Sequence, residues 1–279
     1  MSGGRFGWLA SWPRSGNTWL RLLLESLIHG GRQVDITAVK LSVQVTSRSE
    51  FDYHLGIESS SLTPCEVDAA RPALFEAIAR DFDGPLILRK VHDRCWRTGG
   101  GLRVFPPELS RGAVYIARDP RDVAVSYADF FGITLDQAIA RMNDASMTLA
   151  HSADSGSTQL PQPTGTWSEH VASWLDDSAM PVLLVRYEDL VEDTPGKLAQ
   201  VAKFLGLAAA CAPQAASAVS FRSLQDQERD KGFRERPAQC SRFFREGRAG
   251  GSQGVLTSTQ AASLERAHAN VMTRLGYLN

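Results

Sequence analysis

The sequence predicts an α/β fold, a doubly wound parallel β-sheet flanked by helices. Three observations predict it: short, almost continuously apolar runs, helical patterns between them, and turns of glycine, proline and hydroxyl residues where a run passes into a helix. The first strand is read at residues 6–11. It passes through Pro13, Arg14, Ser15 and Gly16 into a helix whose Leu20, Leu23, Leu24, Leu27 and Ile28 recur at helical spacing. A helix over 68–82 precedes a second apolar run at 85–90, and a third run lies at 113–118. The pattern over 120–131 opens on Pro120 after Asp119, the arrangement of a capped helix start. Residues 168–175 read as a helix and 181–187 as a fourth strand. A helix over 195–205 takes Thr194 as its cap and Pro195 in its first turn, and 259–275 reads as a closing helix. Two stretches, 30–64 and 152–167, fit no element and read as lids or binding loops.

Composition narrows the function classes. The chain has 279 residues, 43% hydrophobic and 22% charged, which predicts one globular domain over 1–279. Thirty basic residues stand against thirty-one acidic ones, a formal net charge of −1, so no whole-protein field favours nucleic acid and any anion site is local. No apolar run approaches the roughly 18 residues a membrane span needs, and no leader pattern opens the chain; a cytoplasmic protein without membrane association is expected. Cys65, Cys95, Cys211 and Cys240 are scattered without metal-ligand spacing, so reduced structural thiols and no metal site are expected.

Two features carry chemistry. Residues 13–18 join a strand to a helix N-terminus through glycine and hydroxyl residues, a natural anion cradle, although the lysine pattern of nucleoside triphosphatases is not met. Residues 115–127 repeat the logic. Arg118 ends a strand, Asp119 caps the next helix, Asp122 stands where a capping-box carboxylate would, and Ser126 falls about two turns on. The guanidinium of Arg118 and the hydroxyl of Ser126 have the reach to converge on one phosphate. The plainer alternative pairs Arg118 with Asp122 or Glu188 and leaves Ser126 to its own helix.

These residues carry a resemblance. The stretch Trp12-Pro-Arg-Ser-Gly-Asn-Thr-Trp19 is similar to the 5′-phosphosulfate loop, YPKSGTTW, of the PAPS-dependent sulfotransferases. Arg118 and Ser126 stand at the spacing of that family's 3′-phosphate motif, residues 186–190 resemble its YEDL, and 243–250 resemble its FxRKGxxG loop. Lys90-Val91-His92 resembles its KTH. The resemblance runs in order over nearly the whole chain, from about residue 6 to residue 257.

The resemblance implies transfer of a sulfuryl group from 3′-phosphoadenosine 5′-phosphosulfate (PAPS) to a hydroxyl, leaving the bisphosphate PAP, without a metal. It assigns the 5′-phosphate to the backbone N–H groups of Ser15, Gly16, Asn17, Thr18 and Trp19, the Thr18 hydroxyl and the helix dipole, with Arg14 also in the cofactor site, and the 3′-phosphate to Arg118, Ser126, Arg245 and the backbone of Glu246 and Gly247. Trp19 and Phe221 enclose the adenine, and Tyr187 joins the nucleotide site. His92 is the base, Lys90 binds the sulfuryl oxygens, and Arg14 takes the place of the lysine that bridges sulfuryl group and leaving phosphate. Departures from the family pattern fall at Arg14, Asn17, Val219, Glu246 and Ser252. The exchange at Arg14 keeps the charge but changes shape and donor number.

Two other readings stand beside this one: a P-loop-like nucleotide kinase, and a PAP-binding protein without catalysis. The first lacks the P-loop lysine, and the pair Lys90 and His92 argues against the second. The expected acceptor is a small or medium-sized phenol or alcohol, with 30–64 and 132–167 as its walls and lid. Phe51, Tyr53, His54, Phe130, Phe131 and Trp167 are candidates either for that pocket or for the core.

Overall fold

The computed structural model describes residues 5–42, 45–150 and 158–278. In chain order the elements are β1 (Arg5–Ala10), α1 (Asn17–Ile28), α2 (Arg48–Leu55), α3 (Pro64–Asp81), β2 (Leu86–Val91), β3 (Ser110–Ala117), α4 (Pro120–Phe131), α5 (Leu135–Met142), β4 (Thr148–Leu149), β5 (Gln162–Pro163), α6 (Trp167–Leu175), β6 (Val182–Arg186), α7 (Tyr187–Glu192), α8 (Thr194–Leu205), α9 (Ala212–Ala218), α10 (Phe221–Lys231) and α11 (Ser258–Arg274). The main sheet has the order β2-β1-β3-β6, with β1 parallel to both neighbours. The predicted α/β architecture is therefore present, and each of the four apolar runs is a strand of that sheet. Among the described residues, no helix is long and apolar enough to cross a membrane.

The chain divides into two compact units. The first takes in Met1–Trp12, Val43–Tyr115 and Ala145–Leu184. Its core is aromatic: Phe6 stacks on Trp8 at 4.4 Å, Phe75 and Phe105 meet Trp8 edge-on, and the Trp8 indole donates to Ser110 Oγ at 2.7 Å. Phe51 and Trp167 are fully buried in this unit, so of the two readings open for them the core one holds. A salt bridge lies in the same interior, with Arg71 Nη1 3.1 Å from Asp93 Oδ1 and neither side chain exposed. Burial raises the Asp93 carboxyl to about 6 against the pull of Arg71.

The second unit takes in Pro13–Ser42, Ile116–Asp144 and Val185–Asn279. Within it α1 packs on α8 and α9, and α4 packs on α5 and α11. The apolar stripe read for α1 is buried at Leu20, Leu23, Leu24 and Leu27, whereas Ile28 is exposed at the helix end.

Several local expectations are corrected. The segment 30–64 is not irregular throughout: Ser47 caps α2 by accepting from the Glu50 N–H, and the chain turns at Gly56, whose φ of +64° favours glycine. Helix α3 starts four residues before the expected 68, because Thr63 and Glu66 form a complete capping box with Pro64 at the first position. The segment 132–167 contains α5, itself opened by a capping box of Thr134 and Gln137, and the short β4–β5 pair. Of the stretch 152–167, residues 152–157 lie outside the described residues. Helix α8 is capped by Asp193, whose carboxylate accepts from the Gly196 N–H, and Thr194 is already helical. Cys65 is exposed and Cys211 partly so, which leaves only Cys95 and Cys240 as buried thiols.

Candidate functional site

Every residue expected to hold the nucleotide lies in the second unit, and Lys90 and His92 lie in the first. The cradle begins where the chain leaves Trp12. Arg14 has φ +70° and Gly16 φ +105°, the left-handed conformations that fold 13–16 into a tight turn ahead of α1. Gly16 is the N-cap of α1 and makes no side-chain cap bond, so the first amides of the helix face the turn without a capping side chain. A Cβ at Gly16 would lie 2.6 Å from the Tyr187 ring, so the close approach admits glycine alone. Ser15 is buried, and its Oγ has no hydrogen-bond partner. A buried hydroxyl beside a helix N-terminus fits an anion that brings its own acceptor atoms.

The hydroxyl of the half-buried Thr18 is already engaged. It donates to Glu235 Oε2 at 3.3 Å and accepts from Arg21 Nη2 at 3.0 Å. The buried Arg21 also binds both Glu235 oxygens, at 2.8 and 2.9 Å. Asn17 is buried at the first turn of the helix. Trp19 donates its indole N–H to the Val219 carbonyl at 3.1 Å and meets Tyr187 edge-on at 6.0 Å. Phe221 opens α10 two residues later, and a Cβ at Gly247 would strike its ring at 2.3 Å. The predicted adenine aromatics and the late loop thus share one neighbourhood.

Arg118 joins three parts of this unit. Its guanidinium lies over the Tyr187 ring at 4.3 Å, donates to the carbonyl of Arg248 at 3.2 Å and to that of Arg14 at 3.5 Å, and stands 3.6 Å from Asp122. Its Nε is buried without a partner. The plainer expectation of an Arg118–Asp122 pair is therefore met, and it coexists with the contacts to the cradle turn and the late loop.

The capping-box role read for Asp122 is replaced by another. Its two carboxylate oxygens accept the Gly250 and Ser252 N–H groups, each at 2.8 Å, and so fasten the late loop to the first turn of α4. The N-cap amide of α4, which a capping box would satisfy, is taken by Glu188 Oε1 at 3.0 Å, and Asp119 caps by accepting from Arg121. Burial raises the Glu188 carboxyl above the ordinary range. Nothing in the local sequence announces the Asp122 tie, because its partners lie 128 and 130 residues away.

Ser126 does not bond its own helix: its Oγ accepts from Arg14 Nε at 3.2 Å. The guanidinium carbon of Arg14 is 4.3 Å from the Phe130 ring centre and 4.6 Å from that of Phe243, in the notch of an edge-to-face pair. Burial lowers Arg14 to about 10; Arg118 and Arg245 push the same way, and Cys240 and Asp129 oppose them. Glu246 is engaged by Arg248 at 2.8 Å, which holds its carboxyl below the usual value. At this departure from the family pattern the acid is neutralised within its own loop.

In the first unit, His92 follows β2 directly, and Lys90 is nearly buried in that strand. The His92 Nδ1 lies 2.9 Å from the Ser11 carbonyl oxygen. A carbonyl only accepts, so Nδ1 carries the proton and the lone pair of the neutral ring lies on Nε2. The backbone of His92 is held as well: its carbonyl accepts from His170 Nε2 at 3.0 Å, and His170 Nδ1 accepts from the Tyr115 hydroxyl at 2.8 Å. Burial lowers His170 to about 3, so it is neutral and serves as a fixed donor. Sequence reasoning assigned His170 no part, since a buried histidine on a helix gives no local signal of what it holds.

The model of the sulfotransferase domain family matches residues 7–276 of the chain. Rat sulfotransferase 2A6 is 35% identical over 139 residues, 46% of this chain and 44% of the relative. Rat sulfotransferase 1A1 is 24% identical over 210 residues, 71% of this chain and 58% of the relative. The matched stretches thus span about half the length of these relatives. Among solved structures, the mouse sulfotransferase SULT7A1 complexed with PAP aligns over 96% of this chain and 84% of its own, with a TM-score of 0.60 at 19% identity. Retinol dehydratase in a complex with retinol and PAP aligns over 96% and 81%, with a TM-score of 0.57 at 18% identity. At such identities these likenesses concern the fold.

Proposed function

The chain belongs to the sulfotransferase domain family, and we propose that it transfers the sulfuryl group of PAPS to the hydroxyl of a small or medium-sized phenol or alcohol, releasing PAP. One observation carries the reading: in a single compact unit, the glycine turn before α1 and the strand end at Arg118 are tied together, and each holds a buried polar atom without a partner, Ser15 Oγ and Arg118 Nε. Two such donors in one unit support a ligand with two phosphate groups.

In this reading the amides of residues 15–19 and the α1 dipole bind the 5′-phosphate. Arg118, Ser126, Arg245 and the backbone of Glu246 and Gly247 bind the 3′-phosphate, and Trp19, Tyr187 and Phe221 receive the adenine. His92 Nε2 takes the proton of the acceptor hydroxyl, the acceptor oxygen forms the new bond to sulfur, and the bond from sulfur to the phosphate oxygen breaks as PAP leaves. Lys90 stabilises the charge on the sulfuryl oxygens. No step in this scheme calls for a metal.

Calorimetric titration with PAP, AMP and ATP in chelator-treated buffer, followed by assay of PAPS with phenols and alcohols, tests the proposal. PAP-selective binding and a sulfated product are expected. A preference for ATP with magnesium would replace this reading with the kinase one, and PAP binding without transfer to any hydroxyl would leave a binding protein.

A further inference from the structure

We propose that Arg14 is a specificity-determining residue for the 3′-phosphate: with Arg118 and Ser126 it distinguishes a nucleoside 3′,5′-bisphosphate from a nucleoside 5′-monophosphate. The inference rests on the proposed function and departs from the place its sequence position gives Arg14, between sulfuryl group and leaving phosphate.

Three observations carry it. First, the Arg14 side chain runs to α4: Nε reaches Ser126 Oγ at 3.2 Å, the residue that the 3′-phosphate motif assigns to that group. Second, its flat guanidinium lies against Phe130 and Phe243, at 4.3 and 4.6 Å, so its direction is fixed by two rings from different parts of the unit. A planar, weakly hydrated guanidinium suits such a notch, and a compact, strongly hydrated ammonium does not. Third, the positive charges converge: Arg118 and Arg245 both act on Arg14, and Arg118 also donates to the Arg14 carbonyl at 3.5 Å. Asp122 is close to Arg118, while Cys240 and Asp129 face Arg14.

Like charges held in a half-buried notch call for a counter-charge of matching size. A phosphate monoester carries about 1.5 to 2 negative charges near pH 7. The 3′-phosphate is such a monoester, and Ser126, the partner of Arg14 that the motif assigns to it, puts the cluster at that end of the ligand. The Ser126 bond uses one of the five guanidinium donors, and the others have the fork geometry for phosphate oxygens.

The test compares the full-length protein with Arg14→Met and Arg14→Lys by calorimetry, using PAP and AMP, which differ only in the 3′-phosphate. Arg14→Met is expected to weaken PAP roughly ten- to a hundredfold, the loss of charge-assisted bonds, and to change AMP less than about threefold. Arg14→Lys keeps the charge and is the safer variant for folding; it is expected to narrow the PAP-to-AMP preference by about three- to tenfold. Equal losses of PAP and AMP in the folded Lys variant, or no change in either, would overturn the inference and leave the proposed function standing. A wild-type protein that shows no preference for PAP over AMP would overturn both.

Discussion

His92 has its Nδ1 against Ser11, whose carbonyl oxygen lies at 2.9 Å and whose hydroxyl oxygen at 3.4 Å. The Ser11 carbonyl fixes the tautomer, and the carbonyl of His92 is itself held by His170. Replacing His92 with alanine should leave PAP affinity within about twofold while lowering turnover by about 10²- to 10⁴-fold, the usual share of a general base. Calorimetry and product assay on one preparation separate the two effects, and retained turnover would remove His92 from the role. Gly16 makes a sharper prediction about stability. Alanine there would hold φ near +105° and place a Cβ 2.6 Å from Tyr187, so Gly16→Ala should lower unfolding stability by about 2–4 kcal/mol, read as a shift in denaturant midpoint. The sequence showed why glycine belongs in a phosphate turn, but not that an aromatic ring lies against it.

Among the elements, those with strong end signals were legible. Helix α4 matches its expected span of 120–131 because Asp119 and Pro120 leave little freedom at its start. Helices α2, α5 and α9 have eight, eight and seven residues, too short for periodicity to outweigh the surrounding polar and glycine residues. Helix α7 starts directly at Tyr187 as β6 ends, with no turn residues between them to mark a boundary. Asp122 ties two amides of the late loop to α4, beside the ring contact of Phe243 with Phe130, so Asp122→Ala should release Gly250 and Ser252. Faster hydrogen exchange at both, together with about 2–4 kcal/mol lost from stability, is the expected result. Unchanged exchange would show that the loop is held by its other contacts.

At the scale of the whole molecule, four apolar runs were enough to identify the sheet, although the fourth, β6, buries only Val185 of its five residues. The site was legible as motifs and not as connections. Arg14 and Ser126 are 112 residues apart, and only the fold shows that one binds the other. The molecule also carries a pH dependence that no motif records. Burial lowers His170 to about 3 and His268 to about 4, against about 6.5 in an unfolded chain. Below pH 6.5 the unfolded state therefore takes up protons that the native state refuses. The stability these neutral rings contribute is complete above that pH and is lost as the pH falls toward 4, by about 1.4 kcal/mol per pH unit for each ring. The raised carboxyls of Asp93 and Glu188 oppose this slope, so the histidine share is read by difference: His268→Gln should make the change in denaturant midpoint from pH 6 to pH 5 more favourable than in the wild type.

The bond from Trp19 to position 219 ends on a backbone oxygen, and that has an evolutionary consequence. A carbonyl is supplied by every amino acid, so the contact that steadies the indole imposes no requirement on the side chain behind it. Val219 is buried, and volume is the constraint that remains. The position is therefore free to drift among apolar residues of similar size without loosening Trp19, and the valine found here is one permitted outcome of that drift.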